Sequence, residues 1–343
     1  MLSSSGCEVR NLQNHIRVST GTAAALDLLQ CKVDAVPTTA YLMLHARGRC
    51  AANCAFCAQA RTSRTPPSYL SRVTWPVFPL ARVIAALSDQ GQGSPFKRVC
   101  IQTLHYPELM DDLLPLVEAL RRLVPSLPVS VALPPLSRPE IVRIEGAGVE
   151  RVAISLDAAT PQLFSVLKGS GVRSTFRWET HVQALRDAVA VFGAGKTTTH
   201  LILGLGETEK EAISCIQWLI DLGITVGLFP FTPIPGTRLA ERPTPPVEQY
   251  RRLQLAHHLI AHHQARAEQM TFHPVSQHIV GFGLSEKLLA VVIDEGLAFQ
   301  TAGCRGCNRP FFTERPSGPL YNFPTAPSAG DLRRINEQLG VVR

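Results

Sequence analysis

The chain contains no run of 18 apolar residues, so nothing in it reads as a membrane-spanning helix. Its opening stretch, MLSSSGCEVRNLQNH, lacks the apolar centre of a secretory signal, which sets the expectation of a cytoplasmic protein. Aromatic residues are only 6% of the chain and no run of Lys and Arg occurs, and both count against nucleic acid as a partner. A dinucleotide-binding glycine fingerprint is also missing. AVFGAGKTTT (190–199) looks like a phosphate loop but has Ala190 where the first glycine belongs. A helix-like segment precedes it and a strand-like one follows, the reverse of what phosphate binding needs, so it is a turn. Charge balance is lacking too: a formal net charge of +7 over 343 residues fits either an acidic partner or substrate or simply a solvated basic surface.

What the chain does have is cysteine. Nine occur, and in a reducing compartment that number favours metal ligation or catalysis over disulfides. HARGRCAANCAFCAQA (45–60) places Cys50, Cys54 and Cys57 at gaps of three and two residues, with no fourth beside them. A structural zinc site uses four ligands, usually in two pairs, and ferredoxin-type runs supply four thiolates to a cubane. Three thiolates leave one iron open to something that is not protein. A zinc site completed by a distant fourth ligand is the alternative.

Apolar stretches of strand length alternate with amphipathic stretches of helix length. Strands are predicted at 39–46, 97–103, 129–134, 150–157, 197–205 and 224–233, with helices at 77–91, 107–124, 138–148, within 161–192, at 209–223 and at 246–269. Strict alternation with continuous apolar strands predicts an α/β fold, a parallel sheet covered by helices. Six such units form a partial (β/α)6 TIM-like barrel over 38–245, preceded by an arm (1–37) and followed by an extension (246–343). Chemistry in such barrels sits on the loops after the strands, where the cysteine triplet lies. Cys215, among apolar helix residues, is assigned to the core; Cys100, in the second strand, points either at the core or into the barrel mouth, with the core preferred. His258 and His262 lie one helical turn apart without a third ligand and read as a solvated face.

C-x-x-x-C-x-x-C after a first strand, with Phe56 just ahead of the last cysteine, resembles the radical S-adenosylmethionine superfamily. The resemblance implies that Cys50, Cys54 and Cys57 hold a 4Fe–4S cluster whose open iron is chelated by S-adenosylmethionine. ISLD (154–157), GLGE (204–207) and TPIPGTRL (232–239) are similar to the biotin synthase and lipoyl synthase branch, over roughly residues 38 to 240. By that likeness Phe56, Ser155, Asp157, Arg177, Gly204 and Gly206 face cofactor or substrate. Arg177 is then a candidate clamp for the cofactor carboxylate, since a guanidinium binds carboxylates in two-pronged fashion. Gly204 and Gly206 allow close backbone approach, as they would in any tight turn.

The departures are informative. Biotin synthase holds its sulfur-donating cluster with cysteines inside the barrel, and VSVALP and TTTHLIL offer none. The N-terminal three-cysteine motif of ordinary lipoyl synthases is absent as well. Instead TAGCRGCNRPFF (301–312) pairs Cys304 with Cys307 beyond the barrel. With Cys31 as the preferred third thiolate, Cys7 behind it, and Asn308 or Arg309 in reach, this pair suits a second, auxiliary 4Fe–4S cluster or a structural zinc.

A biotin-synthase-like core with such a tail is similar to a subunit of the split, two-protein lipoyl synthases. That resemblance implies sulfur insertion at carbons 6 and 8 of an octanoyl chain on a carrier lysine. A 5′-deoxyadenosyl radical would abstract hydrogen and the auxiliary cluster would donate sulfur. The implied partners are an acidic octanoylated lipoyl carrier domain, a related radical subunit, and an electron donor such as ferredoxin or flavodoxin. Three alternatives stand: biotin-synthase-like sulfur insertion on another substrate, a radical carbon-skeleton mutase or synthase with a structural metal site in the tail, and a non-catalytic iron–sulfur or zinc protein.

Overall fold

The computed structural model describes residues 14–46, 48–90 and 93–340, so Cys7 lies outside the described residues. The main sheet contains β1 (His15–Val18), β2 (Thr39–Leu44), β3 (Val77–Pro79), β4 (Arg98–Gln102), β5 (Val129–Leu133), β6 (Arg151–Ile154), β7 (Thr197–Leu203) and β8 (Ile224–Pro230). Their order is β8-β7-β6-β5-β4-β2-β1-β3. The six strands from β2 and β4 through β8 are parallel and stand in sequence order, as right-handed β–α–β connections require. The ends of the sheet do not pair with each other, so the barrel is partial.

Two details depart from the sequence-based expectation. Within the stretch read as an arm, β1 pairs antiparallel with β2 and buries Ile16 and Val18 in the main core, and a short helix α1 (Thr20–Ala25) follows it. Within the stretch read as one helix from residue 77, Val77–Pro79 instead pairs with β1, and the helix α2 starts at Leu80 (Leu80–Ser88). Pro79 supplies the reason: proline lacks a ladder donor but is suited to the end of an edge strand.

The strands alternate. Val99 and Ile101 are fully buried against the helices, while Cys100 and Gln102 point to the concave face. The same alternation sends Val226 and Leu228 outward and Phe229 inward. Helices α3 (Leu109–Leu123), α4 (Arg138–Gly146), α5 (Pro161–Leu167), α6 (Trp178–Phe192), α7 (Glu209–Asp221) and α8 (Val247–Ala261) cover the outer face. Cys215 is buried on α7, as expected of a core residue. The turn at 193–196 joins α6 to β7 through Gly193 and Gly195, both at positive φ.

Beyond α8 come α9 (Glu286–Glu295) and α10 (Ala329–Leu339), and the chain between them returns to the barrel. Phe312 sits 4.8 Å from the Tyr41 ring and edge-on to buried Trp75, and the Thr313 carbonyl accepts a 2.8 Å bond from Thr232. This segment bridges the open side of the barrel, from the end of β8 to β2.

Arg251 on α8 anchors it. The guanidinium is 2% exposed and donates to Gln338 Oε1 (2.9 Å), Gln254 Oε1 (2.6 Å) and the carbonyls of Tyr321 (2.6 Å) and Leu320. Burial lowers its pKa to about 10, which still leaves it charged at neutral pH. Arg251→Ala orphans several buried acceptors at about 1–3 kcal/mol each, so a loss on the order of 3 kcal/mol is expected in urea unfolding. A loss under about 1 kcal/mol would show that the return segment is held by other contacts.

Candidate active site

The loop after β2 is wound tightly, and its composition permits this. Ala52, Ala55, Ala58 and Ala60 are all buried within it. The Cys50 N–H donates to the Gln59 carbonyl (3.2 Å) and the Cys57 N–H to the Cys54 carbonyl (3.2 Å). Arg49 reaches across the loop to the carbonyls of Ala58 (3.0 Å) and Thr65 (2.6 Å), and Asn53 donates to the Val172 carbonyl (2.6 Å). Each turn of the loop therefore has a donor fixing it before any ligand arrives.

Cys50, Cys54 and Cys57 are free thiols lining one wall of a cavity of about 320 Å³ on the concave face of the sheet. The His105 N–H donates to Cys50 Sγ at 3.3 Å. Burial pushes all three thiols up, Cys57 to about 12, because a thiolate there lacks water. Such a site favours neutral thiols until a cationic group compensates the charge, as iron does.

Facing them is a polar wall from β6 and β7. Lys168 Nζ lies 2.6 Å from Asp157 Oδ2 and also donates to the Ser155 carbonyl. Its ammonium stands 5.6 Å from the ring centroids of both Phe164 and Phe176. Ser155 Oγ pairs with His200 Nδ1 at 3.0 Å. Burial lowers the pKa of His200 to about 3 and, with the Lys168 charge beside it, that of His181 to about 2. Both imidazoles are neutral at physiological pH.

A second set of thiols lines the same cavity nearer the N-terminal ends of the strands. Cys304 Sγ is 3.6 Å from Thr198 Oγ1 at the start of β7, and Cys307 Sγ is 2.8 Å from the hydroxyl of Tyr41 on β2. Asn308 locks the return segment to the entry of β2, accepting from the Thr38 N–H (2.9 Å) and donating to the Val36 carbonyl (2.9 Å). Cys100 on β4 joins the pair. Its thiol rises to about 12 through burial, with the nearby Cys304 and Cys307 adding to the shift, and Gln102 Nε2 donates to it at 3.2 Å. Arg309 lies 3.7 Å over the Phe229 ring and donates to the Ala302 carbonyl at 3.0 Å.

Among the described residues, no three His, Cys, Asp or Glu side chains converge closely enough to hold one metal ion. The Cys50, Cys54 and Cys57 thiols, spread along one wall, suit a polynuclear iron–sulfur group whose irons are each reached by a separate thiolate.

Several assignments made from sequence need correction. Cys31 is exposed and does not line the cavity; Cys100 stands with the tail pair instead. The alternation Val99–Cys100–Ile101–Gln102, apolar on one face and polar on the other, was the available signal. Arg177 is exposed at the N-terminus of α6, outside the lining; the cations that line the cavity are Arg151, Lys168 and Arg309. Nothing in sequence marked Lys168, a lysine after a short helix. Gly204 and Gly206 do not line the cavity either. They sit at φ +96° and +122°, and a Cβ on Gly204 would lie 2.9 Å from Pro245. Buried Glu207 accepts from the Gly204 N–H (2.6 Å) and Leu205 N–H (3.0 Å), so GLGE is a self-braced turn. Phe56, Ser155 and Asp157 do line the cavity.

An open parallel α/β barrel with a three-cysteine loop after its first parallel strand defines a class of metal-dependent barrel proteins. A family model described as the Radical SAM superfamily matches residues 47–219, and the chain belongs to that superfamily. Over 204 residues it is 30% identical to a biotin synthase of Desulforudis audaxviator, covering 58% of this chain and 57% of the relative. A biotin synthase of Citrifermentans bemidjiense is 28% identical over 203 residues, covering 56% and 55%. The match therefore spans little more than half the length of these relatives. Among solved structures, the FeFe-hydrogenase maturase HydG from Carboxydothermus hydrogenoformans superimposes with a TM-score of 0.51 at 15% identity, over 75% of this chain and 66% of that one. No helix among the described residues is long and apolar enough to cross a membrane.

Proposed function

We propose that the protein inserts sulfur into an unactivated aliphatic chain by radical chemistry. The substrate in this reading is an octanoyl chain on a lysine of a carrier domain. One observation carries it: two sets of free thiols line a single cavity, one at the mouth and one toward the floor. Between them the wall is chiefly apolar, with Ala132, Leu133, Ala153, Ile202 and Phe229, a surface suited to methylenes. The similarity to biotin synthases supports sulfur insertion. The absence of cysteine from β5 and β7 argues for a substrate other than that of those relatives.

Cys50, Cys54 and Cys57 would hold the superfamily's 4Fe–4S cluster, which when bound supplies the electron that cleaves S-adenosylmethionine. The chain's own residues orient the rest. The Lys168–Asp157 pair and Ser155 present fixed polar groups beside the triplet, and Phe56 packs next to it. Cys100, Cys304 and Cys307 would hold a second cluster, read as the sulfur-donating substrate. Tyr41, Gln102 and Thr198 each contact one of these sulfurs, and such contacts tune how firmly a thiolate binds iron. In the two-subunit version this chain installs one sulfur and a related partner the other, with ferredoxin or flavodoxin as reductant in the cytoplasm.

The test is product analysis. Reconstituted protein with reductant, S-adenosylmethionine and the partner subunit is expected to carry about eight iron per chain and to thiolate an octanoyl-lysyl peptide. About four iron and no thiolated product would favour a carbon-skeleton enzyme. Conversion of dethiobiotin but not of the octanoyl peptide would overturn the substrate assignment.

A further inference from the structure

We propose that a belt of arginines on the rim of the cavity mouth is the docking surface for an acidic protein domain that presents the substrate chain. The identity of the chain rests on the sulfur-insertion reading; the charge of the partner does not. The belt comprises Arg61, Arg64, Arg173, Arg177 and Arg238, all exposed. They come from three separate stretches that meet around the cysteine loop. Arg61 Nη2 donates to the Arg173 carbonyl at 2.8 Å. The Arg64 N–H donates to the Gly236 carbonyl (2.8 Å), and the Arg238 N–H to that of Ala55 (3.1 Å), between Cys54 and Phe56. Arg177 directly follows Phe176, a lining residue. Each arginine therefore adjoins the cavity wall while its own side chain belongs to the outer surface.

Arg98, Arg138, Arg252, Arg266 and Arg334 pair with carboxylates. Among the described residues none of the five rim arginines does. Glu179 and Glu241, the acids nearest them in sequence, are exposed and also unpaired with them. Unpaired like charges gathered at one mouth repel one another, and over an apolar cavity their field is focused outward. An arriving negative surface relieves that repulsion and is steered to the opening. An aliphatic chain that threads an apolar cavity must be held from outside, and the rim is where its carrier would rest. Nucleic acid would meet the same charge but brings no group for the apolar wall.

The experiment uses the full-length, reconstituted protein and two fluorescent octanoyl-lysine peptides, one flanked by four glutamates and one by four glutamines. At low salt the glutamate peptide is expected to bind about tenfold tighter, and the advantage should vanish by about 0.5 M salt. The variant Arg64→Gln/Arg177→Gln/Arg238→Gln should lose the advantage while cleaving S-adenosylmethionine normally. Equal binding of both peptides by the unaltered protein overturns the proposal, as does tighter binding of a single-stranded oligonucleotide than of the glutamate peptide. The salt series on the unaltered protein decides the matter even if the triple variant misfolds. If glutamate peptides bind tighter whatever acyl group they carry, the rim stands and the octanoyl reading falls. An octanoyl preference without a charge preference does the opposite.

Discussion

Single replacement of Cys50, Cys54 or Cys57 by Ala is expected to reduce 5′-deoxyadenosine formation from S-adenosylmethionine to below about a hundredth of the unaltered protein. The expectation follows from geometry. The triplet offers three half-buried free thiols and no fourth, so losing one leaves two thiolates to hold an iron–sulfur group. The effect should be equal at the three positions, although Cys50 alone accepts the His105 N–H. Undiminished cleavage in any of the three variants would remove that cysteine from the site. Thermal unfolding of the unloaded variants should change little, because the loop is braced by Arg49, Asn53 and its own backbone rather than by the thiols.

The tail pair should behave differently. Cys304→Ala/Cys307→Ala, and Cys100→Ala separately, are expected to lose about half the bound iron and all sulfur insertion, yet to keep cleavage of S-adenosylmethionine. Cys31→Ala, altering an exposed cysteine away from the cavity, should match the unaltered protein in both. The comparison between Cys100 and Cys31 is the informative one. Full iron in Cys100→Ala with half in Cys31→Ala would restore the ligand set expected from sequence and discard the one the structure brings together. Full iron and full thiolation in the double variant would exclude the tail from the chemistry altogether.

The alternation of strands and amphipathic helices was legible because the parallel strands are short stretches rich in apolar and β-branched residues, continuous in TAYLML and alternating in RVCIQ. TTTHLIL and ITVGLFP announce β7 and β8 by the same enrichment. HIRV does not, since a short strand with a polar start has too little periodicity to separate from a coil. Phe56, Ser155 and Asp157 were placed by the family resemblance, and all three line the cavity. Arg177 and Gly204 were placed by the same logic and do not. A position just outside the barrel says which end a residue occupies, not whether its side chain turns inward.

The sequence alone determined the three-cysteine loop, the parallel β–α order and the unbalanced positive charge, because each is written in local spacing or composition. Only the tertiary structure decided which distant groups share the cavity. Cys100 and the Cys304–Cys307 pair meet because strand alternation turns one inward while Arg251 and Asn308 hold the returning tail across the open barrel. Lys168 reaches the site because the chain after α5 folds beneath the cysteine loop, bringing the Leu167 carbonyl to the Ala55 N–H at 2.7 Å. Contacts across 70 to 270 residues of sequence leave no local periodicity to read. They exist only once the core has packed and the open side of the barrel has been closed.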